Sequence, residues 1–387
     1  MAVAAIALGG CGKPPARPPA IRFLHTFGPQ ETELFNTTMA ERGIAVESLL
    51  VPFARGQQTI NEILHARNDC PDLIRIDATW LAGLVASGLV VEPPAALAAL
   101  DWTPEAAALA QLRGVWWSLP QSVDGLLVIR DLATPAPASP SLPDLLAAAR
   151  AARATTGPYP LSVRIDGYWF VPWLRDEGGE LSAPDGIAGA EAVRAMTKLA
   201  ALFGDLVPPP PSPGSEDPEE MRRWEAREVA YWITGPWQFA ELRDRDRVAV
   251  SGLAHAPRGG QLLVVPRCAK HPADGWRLAG ELTSLPVQAR FAGTFASVPT
   301  RRAALEDAPA LSRAAETALR STAMLPREPV TPMLFDDLNP ALAAVVAGDA
   351  TAEEAVAGVR RGWQRLIQPT AAPTAPPAQP MPQPGAP

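Results

Sequence analysis

Cysteine is almost missing from this chain. Three stand among 387 residues, at Cys11, Cys70 and Cys268, too few and too scattered for a disulfide framework or a paired-cysteine zinc site. Histidine is as sparse: His25, His65, His255 and His271 lie far apart, none with a histidine or cysteine at ligand spacing, so no metal site is expected. No internal run approaches the roughly eighteen consecutive apolar residues of a spanning helix. No basic block stands out, and 41 acidic against 34 basic residues leave a net charge of −7, which gives a nucleic-acid surface no support. Common catalytic signatures are lacking too: no P-loop, no G-x-G-x-x-G after a strand, no G-x-S-x-G and no H-E-x-x-H. No cofactor is expected.

Proline and tryptophan are plentiful instead. The 44 prolines are more than twice the usual share of about 5%, so proline tracts outside the fold or stiff connections are required. The length suggests two lobes or domains, and 47% apolar residues can fill large cores. Eleven Trp stand against three Tyr.

Along the chain, Ile21 to Phe27 reads as a first strand that Gly28-Pro29 breaks before a helix opening near Gln30 and Glu31. Ile44 to Phe53 reads as a strand, 57 to 67 as a helix, Pro71 to Asp77 as a strand, and Trp80 to Ser87 as a helix stopped by Gly88. Such alternation is the pattern of βαβ units around a mostly parallel sheet. Val123 to Arg130 and Glu228 to Ile233 read as further strands, and Leu262 to Pro266 as a short buried one. Helices are expected over 143 to 153, 186 to 203, Met221 to Arg227, Pro272 to Ser284 and through most of 303 to 368. Proline clusters at 135 to 143 and 208 to 218 read as surface loops, and the tail 369 to 387, with eight prolines, cannot bury a core.

Several tryptophans, Trp80, Trp169 and Trp237, stand at strand-to-helix junctions, where open α/β sheets bind ligands. A broad aromatic face can stack on the apolar C–H face of a sugar, and Thr26, Asp77, Thr79, Gln121, Asp124 and Asp166 offer hydroxyl, amide or carboxylate groups at the same junctions. For any one of these Trp, core packing is the competing reading.

The N-terminus, ending Leu8-Gly9-Gly10-Cys11, resembles a bacterial lipobox, which implies lipidation at Cys11. The basic n-region is missing and the apolar run is short, so the true start codon is expected upstream. Residues 12 to 20 then form a stiff proline-rich spacer.

The body resembles the extracellular solute-binding proteins of ABC transporters, in the carbohydrate-binding family that includes maltose-binding protein. The resemblance runs in order over about residues 21 to 368. Its pieces are Phe23-Leu-His-Thr-Phe-Gly28, Pro71-Asp-Leu-Ile-Arg-Ile-Asp-Ala-Thr-Trp-Leu-Ala with Ser87-Gly-Leu-Val90, and Leu119-Pro-Gln-Ser-Val-Asp-Gly-Leu126. Then come Pro172-Trp-Leu with Gly178-Gly179, Ile233-Thr-Gly-Pro-Trp237, Val298-Pro-Thr-Arg301 and Gly348-Asp-Ala-Thr-Ala-Glu-Glu-Ala355 ahead of Trp363.

The resemblance implies an α/β fold of the two-lobed, type II periplasmic-binding-protein kind, each lobe a mostly parallel sheet flanked by helices, with the ligand cleft between them. Crossings are expected near 124, 261 and 311. Lobe 1 would then be 21–123 plus 262–310 and lobe 2 would be 124–261 plus 311–368, with 1–20 the signal remnant and tether and 369–387 a disordered tail. The implied ligand residues are Thr26, Phe27, Asp77, Thr79, Trp80, Gln121, Asp124, Asp166, Tyr168, Trp169, Gly235, Trp237 and Phe335. Of these, Gly235 turns the chain ahead of Trp237 as stacking platform, and Tyr168 pairs with Asp166. Where maltose-binding proteins carry an Asp-Arg pair, Thr79-Trp80 stands here, which breaks the maltodextrin pattern. Val298-Pro-Thr-Arg301 is expected to fix a first-lobe loop near the hinge. Cys70 and Cys268 are read as unpaired structural thiols, although an extracytoplasmic compartment permits a bridge.

The implied function is capture of a mono- or oligosaccharide by hinge closure and delivery to ABC permease subunits, by a monomeric, lipid-anchored, extracytoplasmic protein that is no enzyme. One rival keeps the fold and binds a polyol or glycerol phosphate. Another is a secreted glycoside hydrolase using Asp124 and Asp166, and a third is a sensory or adhesive lipoprotein without a permease.

Overall fold

The computed structural model describes residues 20–182, 187, 189–210 and 219–367. Cys11 with the spacer through Pro19, the tract 211–218 and the tail 368–387 lie outside the described residues, together with the expectations placed on them.

Strands and helices alternate from the start: β1 (Ile21–His25), α1 (Pro29–Glu41), β2 (Val46–Leu50), α2 (Phe53–Ala66) and β3 (Leu73–Asp77). β1 pairs in parallel with both β2 and β3. A 3-10 turn, Ala78–Trp80, leads into α3 (Leu81–Ala86). β4 (Leu119–Gly125) and β5 (Leu127–Asp131) are separated by one residue, yet they belong to different sheets.

After β5 come α4 (Leu142–Thr156), β6 (Leu161–Ser162), α5 (Gly167–Asp176), α6 (Ala190–Ala200), α7 (Glu219–Glu225), β7 (Tyr231–Thr234) and β8 (Val248–Ser251). β9 (Pro257–Pro266) then returns to the first sheet, followed by α8 (Pro272–Leu282), α9 (Leu285–Phe295), α10 (Ala310–Leu319), β10 (Ala323–Met324), α11 (Leu334–Ala347) and α12 (Ala352–Ile367). The first sheet has seven strands, along the path β10-β9-β3-β1-β2, with Val90–Val91 and β4 also pairing β9. The second is four-stranded, β8-β5-β7-β6.

The α/β class with helices flanking parallel strands is present, but both sheets are mixed rather than mostly parallel. β9 runs antiparallel to β3 and β4, and β5 runs antiparallel to β7 and β8, leaving β6–β7 as the parallel pair of the second sheet. A parallel neighbour needs a crossover element, and strands that pass straight from one sheet to the other have none.

β9 is ten residues long where a short strand was expected over 262 to 266, because Gly259-Gly260 hides its first half. Those glycines are needed for close approach: a Cβ on Gly260 would overlap the Ser122 carbonyl of β4 and lie 2.9 Å from Leu109. Other boundaries shorten, with the helix expected over 186 to 203 confined to Ala190–Ala200 and the strand expected from Glu228 beginning at Tyr231.

Cys70 and Cys268 form a disulfide, which corrects their reading as unpaired thiols. Cys70 precedes β3, Cys268 follows β9, and the antiparallel register Val264↔Ile74 brings those two ends together. A chain separation of 198 residues concealed the pair, since only tertiary register makes them neighbours.

Three apolar cores result. Phe23, Phe35, Trp276 and Phe291 fill one beneath the first sheet. Phe170, Trp173, Leu338 and Trp363 anchor another in the second lobe. The third joins residues of both sheets, Ile74, Leu262, Ile129 and Trp232, with Leu319 of α10. Val298 to Arg301 braces the crossing: Val123 N–H donates to Val298 O (3.3 Å), the Thr300 hydroxyl donates to Pro120 O (2.8 Å), and Arg301 pairs with Asp101.

Candidate functional site

Strand alternation puts Arg75 and Asp77 on the same face of β3, and the β9 register sets Gln261 opposite Asp77 and Gly259 opposite Asp124 of β4. One cluster of polar groups therefore sits where the sheets exchange strands.

Arg75 is buried at its centre. Its Nε donates to Gln121 Oε1 (3.0 Å) and Nη1 to Thr26 Oγ1 (2.8 Å), while its guanidinium lies 4.5 Å from the centre of the Phe27 ring. Phe27 itself belongs to the first-lobe core, so it touches the site through Arg75. Burial pushes the guanidinium pKa down, against the opposing pull of Glu31, Asp124 and Asp77.

Asp77 caps the 3-10 turn, Oδ1 accepting from Thr79 N–H (2.8 Å) and from the Thr79 hydroxyl, and its other oxygen faces Gln261 Nε2 at 3.5 Å. Burial raises its pKa above the ordinary carboxylate value. Burial, with the neighbouring Asp77 charge, pushes Asp124 further, up to about 7, against the lowering effects of Arg75 and Gln261. Asp124 Oδ1 and the Tyr168 hydroxyl close in on the face of Gly259, where a Cβ would lie 3.1 and 3.3 Å from them.

The opposite side is aromatic. Asp166 is the N-cap of α5, accepting from Tyr168 N–H at 2.7 Å, and Asn339 of α11 bonds both its other oxygen (3.3 Å, from Nδ2) and the Gly167 N–H (2.7 Å, to Oδ1). Both Asp166 oxygens are thus engaged, and burial raises its pKa. Tyr168 donates to Pro257 O at 3.3 Å, and burial raises its phenol pKa well above 10, with Asp124 adding to the rise.

Trp169 is 8% exposed, held by its indole N–H on Ile233 O (2.8 Å) and packed edge-on against Trp237 at 6.0 Å. Trp237 is 40% exposed, the most open Trp of the three junctions. It follows Gly235, where a Cβ would overlap its ring. Phe335 packs against the first residue of α5, its Cδ1 lying 2.6 Å from where a Gly167 Cβ would stand. On the first-lobe rim, Trp80 is 8% exposed beneath Phe53 (ring centres 5.4 Å apart), with its edge over Gly56 beside Thr26.

The expected residues thus fall into two groups. Thr26, Asp77, Gln121 and Asp124 share the charged cluster, with Thr79 in the turn that Asp77 caps. Tyr168, Trp169, Gly235, Trp237 and Phe335 form or support the aromatic side, with Asp166 engaged beneath it, while Trp80 stands at the first-lobe rim and Phe27 in the core. Sequence reasoning passed over Arg75, Gln261 and Asn339. Arg75 did carry a signal, as a charge inside the buried apolar strand Leu-Ile-Arg-Ile-Asp. Gln261 was hidden by the glycines before it, and Asn339 lies 173 residues from Asp166.

No family model matches the sequence, and no curated protein matches it significantly. Solved structures do match. The GacH receptor of Streptomyces glaucescens, described unliganded and with acarbose, is 22% identical, with 90% of this chain and 98% of that one aligned at a TM-score of 0.77. T. maritima MalE3, solved with maltose, is 18% identical, covering 90% and 100% at 0.76. The Thermus thermophilus maltotriose-binding protein is 18% identical, covering 88% and 99% at 0.72. The chain thus has the two-lobed α/β fold seen in sugar-binding proteins of ABC transporters.

Proposed function

We propose that this chain is the substrate-binding component of an ABC importer, capturing a mono- or oligosaccharide between its lobes and delivering it to membrane permease subunits. The observation that carries the reading is the pairing of a buried donor-and-acceptor cluster, Arg75, Asp77, Asp124 and Gln261, with an aromatic side whose Trp237 is open to solvent. Polar groups bond sugar hydroxyls, and the ring stacks on the C–H face. The solved likenesses with maltose and maltotriose bound support the same ligand class.

A ligand touching both groups favours the closed arrangement, because the open one offers it only half the contacts. The proposed lobes are 21–123 plus 262–310 and 124–261 plus 311–368, a division supported by the passage from β4 to β5 and by β9 returning from one sheet to the other. Binding rather than hydrolysis is favoured because Asp166, the second carboxylate a hydrolase would need, spends its oxygens on a helix cap and Asn339. An extracytoplasmic position, with a lipid on Cys11 and the proline spacer as tether, completes the proposal. Among the described residues no helix is long and apolar enough to cross a membrane.

Thermal shift across sugars, polyols and sugar phosphates tests this reading. Ligand at about a hundred times its Kd adds roughly 2.7 kcal/mol to stability. A carbohydrate is expected to raise Tm, and Trp237→Ala to abolish the rise. A shift that survives the substitution removes Trp237 from the site, and hits confined to sugar phosphates overturn the neutral-sugar reading.

A further inference from the structure

The closed end of the site has more acceptors than donors. Gln261 is 8% exposed, and its Nε2 points at Asp77. That orientation is fixed, since an inverted amide would set oxygen against oxygen. Its Oε1 is left buried with no hydrogen-bond partner among the described residues, a state that folded proteins rarely leave unfilled. Asp124 lies alongside, hydrogen-bonded by the Gln261 amide, with its Oδ1 facing the Tyr168 hydroxyl across Gly259.

Arg75, the cation facing this cluster, directs Nε and Nη1 away to Gln121 and Thr26. Against its one positive charge stand Asp77 and Asp124, with Glu31 at the start of α1, whose own carboxylate is held on Gly28 N–H (2.9 Å). The missing partner is therefore a donor that carries positive charge.

The geometry points to a saccharide bearing a protonated amine, its ammonium seated between Asp124, the Gln261 carbonyl and the Tyr168 hydroxyl. An ammonium has three N–H donors and no acceptor, so it satisfies the orphan oxygen and matches the surplus carboxylate together. A neutral hydroxyl donates once, and a phosphate or uronic acid meets like charge. This inference rests on the sugar-binding reading and names the class of sugar.

Isothermal titration of the full chain at pH 7, where the 2-amino groups are largely protonated, tests it with matched pairs: glucose and glucosamine, and cellobiose with the fully deacetylated chitosan disaccharide, alongside neutral maltose and trehalose. The amine member of a pair is expected to bind at least about tenfold more tightly, the effect of one charge-assisted hydrogen bond. Asp124→Asn is expected to erase the preference by weakening the amino member of each pair far more than its neutral partner, and Gln261→Met to reduce the preference severalfold. Circular dichroism confirms that each variant is folded. Neutral sugars binding as well as or better than their amino partners overturns the inference and leaves the sugar-binding reading standing. Failure of every saccharide, neutral and amino, overturns both.

Discussion

The two sides of the cleft are built differently. On the side of the first sheet the polar groups hang from strands β3, β4 and β9, so the sheet register sets their spacing. On the second-lobe side the groups are aromatic, placed by the N-terminus of α5 and by the turn after β7, and held by single bonds such as Trp169 to Ile233 O. A covalent bridge ties the first lobe between Cys70 and Cys268. The only other cysteine is Cys11, so the second lobe has no such tie. Under the proposed function, the first side would supply polar partners for hydroxyls and the second an apolar stacking face.

Arg75→Met breaks the electrostatic side most directly. It leaves Asp77, Asp124 and Glu31 without their shared cation, and removal of one partner from a buried charged network costs about 3–5 kcal/mol. Denaturant melts read this, and a loss under about 1 kcal/mol would show that the carboxylates do not depend on the guanidinium.

Reduction of the bridge, or the Cys70→Ser/Cys268→Ser pair, comes next. It should lower stability by about 2–4 kcal/mol with ligand affinity unchanged, because Cys70 precedes β3 at the end opposite Asp77. Thermal melts with and without reductant measure it, and a large affinity change would mean that the bridge also sets the site.

Asp124→Asn sharpens the comparison with the smallest effect. The native pKa of about 7 lies above the ordinary aspartate value of 3.8, so the folded protein holds a proton that the unfolded chain releases between roughly pH 4 and 7. Stability therefore falls as pH rises through that window and stays lower above it. The asparagine variant removes the slope, so its Tm should exceed the parent's by at least about 2 °C at pH 8 and match it near pH 4. Equal melting at both pH values would show that Asp124 is not strained by its neighbours.

Much of this was legible in the sequence because it is local. The alternation of strands and helices from Ile21 to Ala86 follows from apolar spacing and from breakers such as Gly28-Pro29 and Gly88. Trp169 and Trp237 of those junctions lie against each other. What stayed illegible depends on pairs far apart in the chain. Gln261 meets Asp77 across 184 residues, and no spacing within the chain encodes that contact.

By itself the sequence determined the αβ order, the junction residues and the resemblance that they carry, since hydrophobic period and turn chemistry act over a few residues. Only the tertiary structure decided that Cys70 bonds Cys268, that Asp166 is occupied as a cap while Asp124 meets Gln261 and Tyr168, and that Arg75 lies at the centre of the cluster. The physical reason is the same for each: β3, β4 and β9, far apart in the chain, pair in one sheet, and their register brings distant polar groups into one buried place.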